Sequence, residues 1–188
     1  MREEAGILTR QKPEPAGPFL RRLDPSDASA VLSAFAADPE MQRQGAVTSL
    51  ADAQLYIANL LDPAHSSVPW AIVVDGVVHG LVCVRIDADN RSGWVSYWMH
   101  PLARGGHRMR RAVTTVANWA LYEGGLERLE LGHRVNNPAS GTVALAAGFV
   151  REGTEREKFL IRGERIDVAT YGRLRTDPWP QHEPFEMR

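Results

Sequence analysis

A chain of 188 residues fits one domain with a full hydrophobic core. Its 44% hydrophobic and 24% charged content is that of a soluble globular protein, and a net charge of −1 gives no global pull toward nucleic acid or membrane. The single cysteine, Cys83, excludes an internal disulfide and a cysteine-based metal cluster. It lies in the apolar run Leu81-Val82-Cys83-Val84 and reads as a small core residue. No apolar run approaches the length of a membrane span, and the start, Met1-Arg-Glu-Glu, has no apolar signal segment. The expectation is a cytoplasmic protein with no metal and no membrane partner.

Residues 1–17 mix charges with Pro13, Pro15 and Gly17 and read as a loose tail. Phe19 to Leu23 is a first strand. Asp24-Pro25-Ser26-Asp27 is helix-start chemistry, and Ala28, Val31, Leu32, Phe35 and Ala36 follow at helical spacing up to Asp38-Pro39. Ser49 to Leu61 is a second amphipathic helix. The two helices, joined by an irregular segment from Met41 to Thr48, suit a flap beside a cleft. Trp70 to Val74 and Val77 to Arg85, joined by Asp75-Gly76, predict a tight hairpin. Trp94 to Met99 adds a third antiparallel strand.

A long helix follows, with Met109, Ala112, Val113, Val116, Ala117 and Ala120 on one face and a stop at Gly124-Gly125. Leu126 to Val135 is the next strand. Asn137-Pro138 reads as an N-cap with proline at the first helical position, and Gly148 ends that short helix. Phe149 to Ile161 and Arg165 to Leu174 form a last hairpin around Arg162-Gly163-Glu164. Residues 178–188 read as a proline-rich tail. The domain proper spans 18–177.

One local charge pattern points to a ligand. Between Asn90 and Tyr122 there is no acidic residue but there are five arginines: Arg91, Arg104, Arg108, Arg110 and Arg111. Three of them lie in the first turns of the long helix, where the helix dipole is already positive. An anion at the turn Arg104-Gly105-Gly106-His107-Arg108, held also by unpaired backbone N–H groups, would relieve that repulsion. The alternative is a solvated arginine cluster with no partner.

The element order and its motifs resemble the GNAT superfamily of N-acyltransferases, and most closely the branch of ribosomal-protein N-terminal acetyltransferases. The stretches that carry the likeness include Ser96-Tyr97-Trp98-Met99-His100-Pro101, Ala103-Arg104-Gly105, Asn136-Asn137-Pro138-Ala139-Ser140 and Gly148-Phe149. The resemblance implies an α+β fold: a mixed, mostly antiparallel sheet of about seven strands flanked by helices, with a central parallel pair splayed to hold an acyl-CoA. It implies that the donor's pyrophosphate sits on Arg104, Gly105, Gly106, His107, Arg108 and Met109. Met99, Asn137 and Ser140 would lie along the rest of the donor. The serine at the position of Ser140 is the branch's general acid; a helix-capping hydroxyl is its other reading.

The departures from the family are specific. His107 and Met109 stand where small residues are usual, and Ser96 replaces a glycine. Phe159 stands where the branch has a glutamate base. Glu157, two residues earlier and so on the same face of a regular strand, either substitutes or is a solvated rim charge. Glu130 and His133 are further candidates for the base. Trp94, Tyr97 and Trp98 either line the acceptor cleft or belong to the core.

The resemblance implies acetyl transfer from acetyl-CoA, or another acyl-CoA, to a primary amine on a small molecule or peptide. Two other readings stay open: a donor carried on tRNA, and a non-catalytic ligand-binding member. The assembly is a monomer, or a homodimer paired through the exposed edge of the last hairpin.

Overall fold

The computed structural model describes residues 17–188, so the N-terminal stretch expected to be loose lies, but for Gly17, outside the described residues. The strands are β1 (Phe19–Arg22), β2 (Ser67–Val74), β3 (Val77–Asp87), β4 (Ser92–Met99), β5 (Arg128–Arg134), β6 (Val150–Ile161), β7 (Glu164–Leu174) and β8 (Glu186–Met187). The helices are α1 (Ala28–Ala37), α2 (Leu50–Leu61), α3 (Arg108–Tyr122) and α4 (Pro138–Ala146). A 3₁₀ turn, Pro39–Arg43, occupies part of the expected flap. No helix among the described residues is long and apolar enough to cross a membrane.

The strands form one sheet in the order β6-β7-β5-β4-β3-β2-β1-β8. Alternation along the central strands divides the core into two layers. Trp70, Ile72, Val82, Val84 and Val95 face α3 and α4. Ala71, Val73, Leu81, Cys83 and Trp98 face α1 and α2. Cys83 is buried as expected, and burial pushes its thiol up to about 11.

Local sequence accounts for most boundaries. Asp75 and Gly76 both have positive φ, 50° and 79°, as the tight β2–β3 turn requires. Arg162 and Gly163 do the same between β6 and β7. Ser49 caps α2 through a capping box with Asp52. Gly125, at φ 74°, turns the chain out of α3. Strand β2 begins three residues before the expected Trp70, because Ser67, Val68 and Pro69 continue its pairing with β3. Asn137 precedes α4 as expected, but its side chain makes no capping hydrogen bond.

The C-terminal segment supplies an eighth strand beyond the seven expected. β8 pairs in parallel with β1, Phe19 opposite Glu186 and Leu20 opposite Met187, and so covers that edge of the sheet. Phe185 is 4% exposed within the α3 layer, and its N–H donates to Thr115 Oγ1 at 2.9 Å. Arg111 donates to the carbonyls of Glu183 and Pro184 and stacks over the Phe185 ring. Hydrophobic burial explains why a proline-rich segment docks: prolines leave few N–H groups to satisfy, and one aromatic anchors the run. Phe185→Ala should therefore lower unfolding free energy by roughly 3 kcal/mol. A urea midpoint unchanged from the parent protein would show that the segment does not dock.

Candidate active site

Strands β4 and β5 are parallel neighbours, yet they pair through only three residue pairs: Ser92–Arg128, Gly93–Leu129 and Trp94–Glu130. Beyond these, β4 stays with β3 out to Met99, while β5 stays with β7 out to Arg134. The two strands diverge. The indole of Trp94 lies against Gly132, where a Cβ would meet the ring at 3.1 Å. The gap opens into a cleft of about 1230 Å³. Its walls are the far ends of β4 and β5, the first turn of α4, the flap turn and the β6–β7 tip.

The cleft gathers several of the expected ligand residues. Met99, Arg104, Gly105, Met109, Asn137 and Ser140 all line it. Gly106, His107 and Arg108 do not; they form the lead into α3 at its rim. That lead is made of three successive positive φ values, 90° at Gly105, 56° at Gly106 and 58° at His107. Two glycines permit this cheaply, whereas His107 adopts it at a cost. A Cβ on Gly105 would meet nothing within 4 Å. The backbone there is open to a ligand, and the first turn of α3 follows with its unpaired N–H groups.

The arginines are less free than their sequence suggests. Arg91 pairs with Glu127 at 3.0 Å, and Arg111 holds the C-terminal segment. Arg104 donates to the Met99 carbonyl and forms an ion pair with Asp38 of the flap. That contact is the main cause holding the Asp38 carboxyl below its usual range. Arg108 reaches the Ala103 carbonyl at 3.3 Å, and neither it nor Arg110 has a carboxylate partner among the described residues.

Ser140 sits on the cleft wall in contact with Tyr97. The Tyr97 hydroxyl lies 2.8 Å from Ser140 Oγ and 2.9 Å from the Ser140 carbonyl oxygen. Since the carbonyl can only accept, Tyr97 donates to it, and the serine hydroxyl can then donate to Tyr97 Oη. Burial pushes the Tyr97 phenol up to about 12, so it stays protonated at neutral pH. Trp98 borders the cleft and also belongs to the α1–α2 core layer: its indole N–H donates to the Tyr56 hydroxyl, and its ring meets Phe35 edge-on.

The candidate bases separate. Glu130 lies outside the cleft lining and is tied to Arg128 at 2.9 Å. Arg128 also takes both oxygens of Glu152. Regular strand alternation puts Glu157 on the face of Phe159, but the β6–β7 register breaks between Glu155 and Phe159. Glu157 has φ 52° there, and its N–H is held by Asp167. The bulge cancels the alternation. Phe159 lines the cleft and Glu157 does not.

His133 does line the cleft, with Nδ1 2.8 Å from the Arg134 carbonyl and Nε2 3.1 Å from the Tyr171 hydroxyl. The carbonyl requires the proton on Nδ1, so Nε2 accepts from Tyr171, and its lone pair is already engaged.

Three charged residues of the cleft lining, Asp38, Glu40 and Arg134, had no sequence signal. Arg134, at the end of β5, is 8% exposed and is ion-paired to Glu40 of the flap turn. The partners of the flap carboxylates are remote in sequence, with Asp38 and Glu40 separated from Arg104 and Arg134 by 66 and 94 residues. These two ion pairs tie the flap to both lips of the splay.

A family model described as an acetyltransferase (GNAT) domain matches residues 19–150. The ribosomal-protein-serine acetyltransferase of Escherichia coli (strain K12) is 29% identical over 90 residues, 48% of this chain and 50% of that protein. The matched stretches span 50% to 58% of the length of the curated relatives. Among solved structures, a ribosomal L7/L12 alpha-N-protein acetyltransferase in complex with coenzyme A superposes with a TM-score of 0.77 at 21% identity, over 85% of this chain and 94% of that one. A ribosomal-protein-S5-alanine acetyltransferase from Vibrio fischeri gives 0.76 at 21% identity, over 88% and 97%. The structural likeness is one of fold. With the family model spanning β1 through the start of β6, this chain belongs to the GNAT acetyltransferase family.

Proposed function

We propose that this protein transfers an acetyl group from acetyl-CoA to a primary amine, in the cytoplasm. The observation that carries the reading is the three-pair limit of the β4–β5 ladder, which opens a cleft between a helix N-terminus and a serine hydroxyl. The donor's phosphates would rest on the N–H groups that open α3, with Arg108 at the rim and Arg104 able to exchange Asp38 for phosphate. Gly105 and Gly106 leave the backbone accessible, and His107 adds a donor of its own. The pantetheine arm would run past Met99, Asn137 and Ser140.

The chemistry then follows from the wall residues. The amine lone pair attacks the thioester carbonyl carbon, the carbon–sulfur bond breaks, and the thiolate takes a proton. Ser140 Oγ supplies that proton and recovers one from water. The amine nitrogen sheds its own proton to water, since Glu130 and Glu157 lie away from the cleft and the His133 lone pair is occupied. The names of the relatives point to protein N-terminal amines as the acceptor class.

Calorimetric titration with acetyl-CoA, CoA and tRNA separates the donors, with micromolar CoA affinity expected. Salt-sensitive tRNA binding without CoA binding would replace this reading by a tRNA-borne donor. Binding of neither would make the chain a non-catalytic member.

Arg108→Ala should weaken CoA binding roughly tenfold, the worth of one charge-assisted hydrogen bond, while leaving the thermal midpoint near that of the parent. Arg104→Ala should weaken it too, by less, because Asp38 already occupies that guanidinium. Unchanged affinity in both variants would remove the role assigned to them.

Ser140→Ala should lower kcat roughly 100-fold with little change in donor KM, followed by thiol release. Near-parent turnover would leave Ser140 as a structural hydroxyl.

A further inference from the structure

The cleft lining carries four arginines, Arg43, Arg104, Arg134 and Arg162, against two carboxylates, Asp38 and Glu40. Arg104 and Asp38 satisfy each other at the α3 side. The flap and hairpin side is left with three arginines and one carboxylate. A single oxygen, Glu40 Oε2, accepts from Arg134 Nη2 and also lies 3.6 Å from Arg43 Nη1. Arg162 is close enough for its charge to help keep Glu40 ionised.

Arg134 is the anomalous member. Its side chain is 9% exposed, and its Nε is buried with no hydrogen-bond partner. A guanidinium offers five N–H donors and is costly to bury with so few of them satisfied. Neighbouring Arg43 is itself partly desolvated and repelled by Arg134, so its guanidinium is held below its usual value. This end of the cleft is short of negative charge.

We propose, on the basis of the acetyl-transfer reading above, that the acceptor carries a carboxylate close to its amine. Arg134, with Arg43 and Arg162, recognises that group. The placement is the side of the splay away from α3, from which an acceptor must approach if the donor's phosphates take the helix end. An acceptor carboxylate completes the neutralisation that Glu40 begins. The same cations disfavour a second ammonium, which argues against polyamines. They also lower the pKa of the bound amine, favouring the neutral, nucleophilic form in a cleft whose nearby carboxylates are both committed to arginines.

The shared chemistry, an amine with a neighbouring carboxylate, has two sources: a free acidic amino acid, or a peptide N-terminus followed by acidic residues. The test is calorimetric binding to the CoA-saturated protein of four ligands: glutamate, a peptide beginning Ser-Glu-Glu, one beginning Ser-Lys-Lys, and spermidine. The acidic peptide or glutamate should bind at least tenfold more tightly than the basic peptide, with spermidine weakest. Which of the two acidic ligands binds better identifies the source.

Arg134→Gln should erase the preference and Arg134→Lys should keep part of it. Glu40→Gln, by releasing Arg134 and Arg43, should strengthen acidic binding severalfold, a gain that a purely structural ion pair would not give. Thermal midpoints of the variants separate folding loss from specificity loss. Equal or reversed preference, a preference that survives Arg134→Gln, or no acceptor binding at all overturns the proposal. Failure to bind CoA overturns the transfer reading instead, and the same titrations without CoA then still report the charge preference.

Discussion

Two parallel strands that cease to pair after Trp94 and Glu130 set the conditions for everything else in this molecule. Backbone groups on the inner edges of a continuous ladder would bond to each other. Here they face a gap. A gap of this kind in the middle of a sheet survives only if both strands are held from outside. β4 is held by the whole length of its pairing with β3, and β5 by seven residue pairs with β7. The helices α3 and α4 close one face through a contiguous core that includes Val95, Val113, Val116, Leu129 and Ala144. The cleft is therefore held open by the pairing and packing of its two walls.

Electrostatics ties the flap turn across that opening. The flap turn Pro39–Arg43 contributes Glu40, and the residue before it contributes Asp38, and these carboxylates reach opposite lips of the splay. Each pair joins a largely buried partner to a half-exposed one: Asp38 to Arg104, and Arg134 to Glu40. Their consequence is positional. They hold the flap turn against both lips of the cleft.

The arginine-rich approach to α3 illustrates how charge on one segment is resolved by charge from others. From residues 90–122 alone, five cations have no counter-charge. In the folded chain Arg91 finds Glu127, Arg104 finds Asp38, and Arg111 finds the C-terminal carbonyls and the Phe185 ring. The anion argument thus narrows to Arg108, Arg110 and the helix end itself. The same folding leaves a cation excess elsewhere, around Arg134, that no local run of sequence contains.

What was readable without coordinates is what short-range physics determines. Asp75-Gly76 dictated a two-residue turn, the spacing of Ala112, Val113, Val116 and Ala117 dictated a buried helix face, and Asn137-Pro138 dictated a helix start, while the ordered motifs dictated the family. Tertiary structure alone decided the rest. The docking of Phe185 depends on a pocket beside α3, and the exclusion of Glu157 depends on a bulge set by register with β7. The partners of Arg104 and Arg134 come from a flap far away in the chain. Periodicity and turn chemistry act over a few residues and are written locally. Which charge meets which, and which side chain faces a cleft, depends on segments brought together only when the sheet closes.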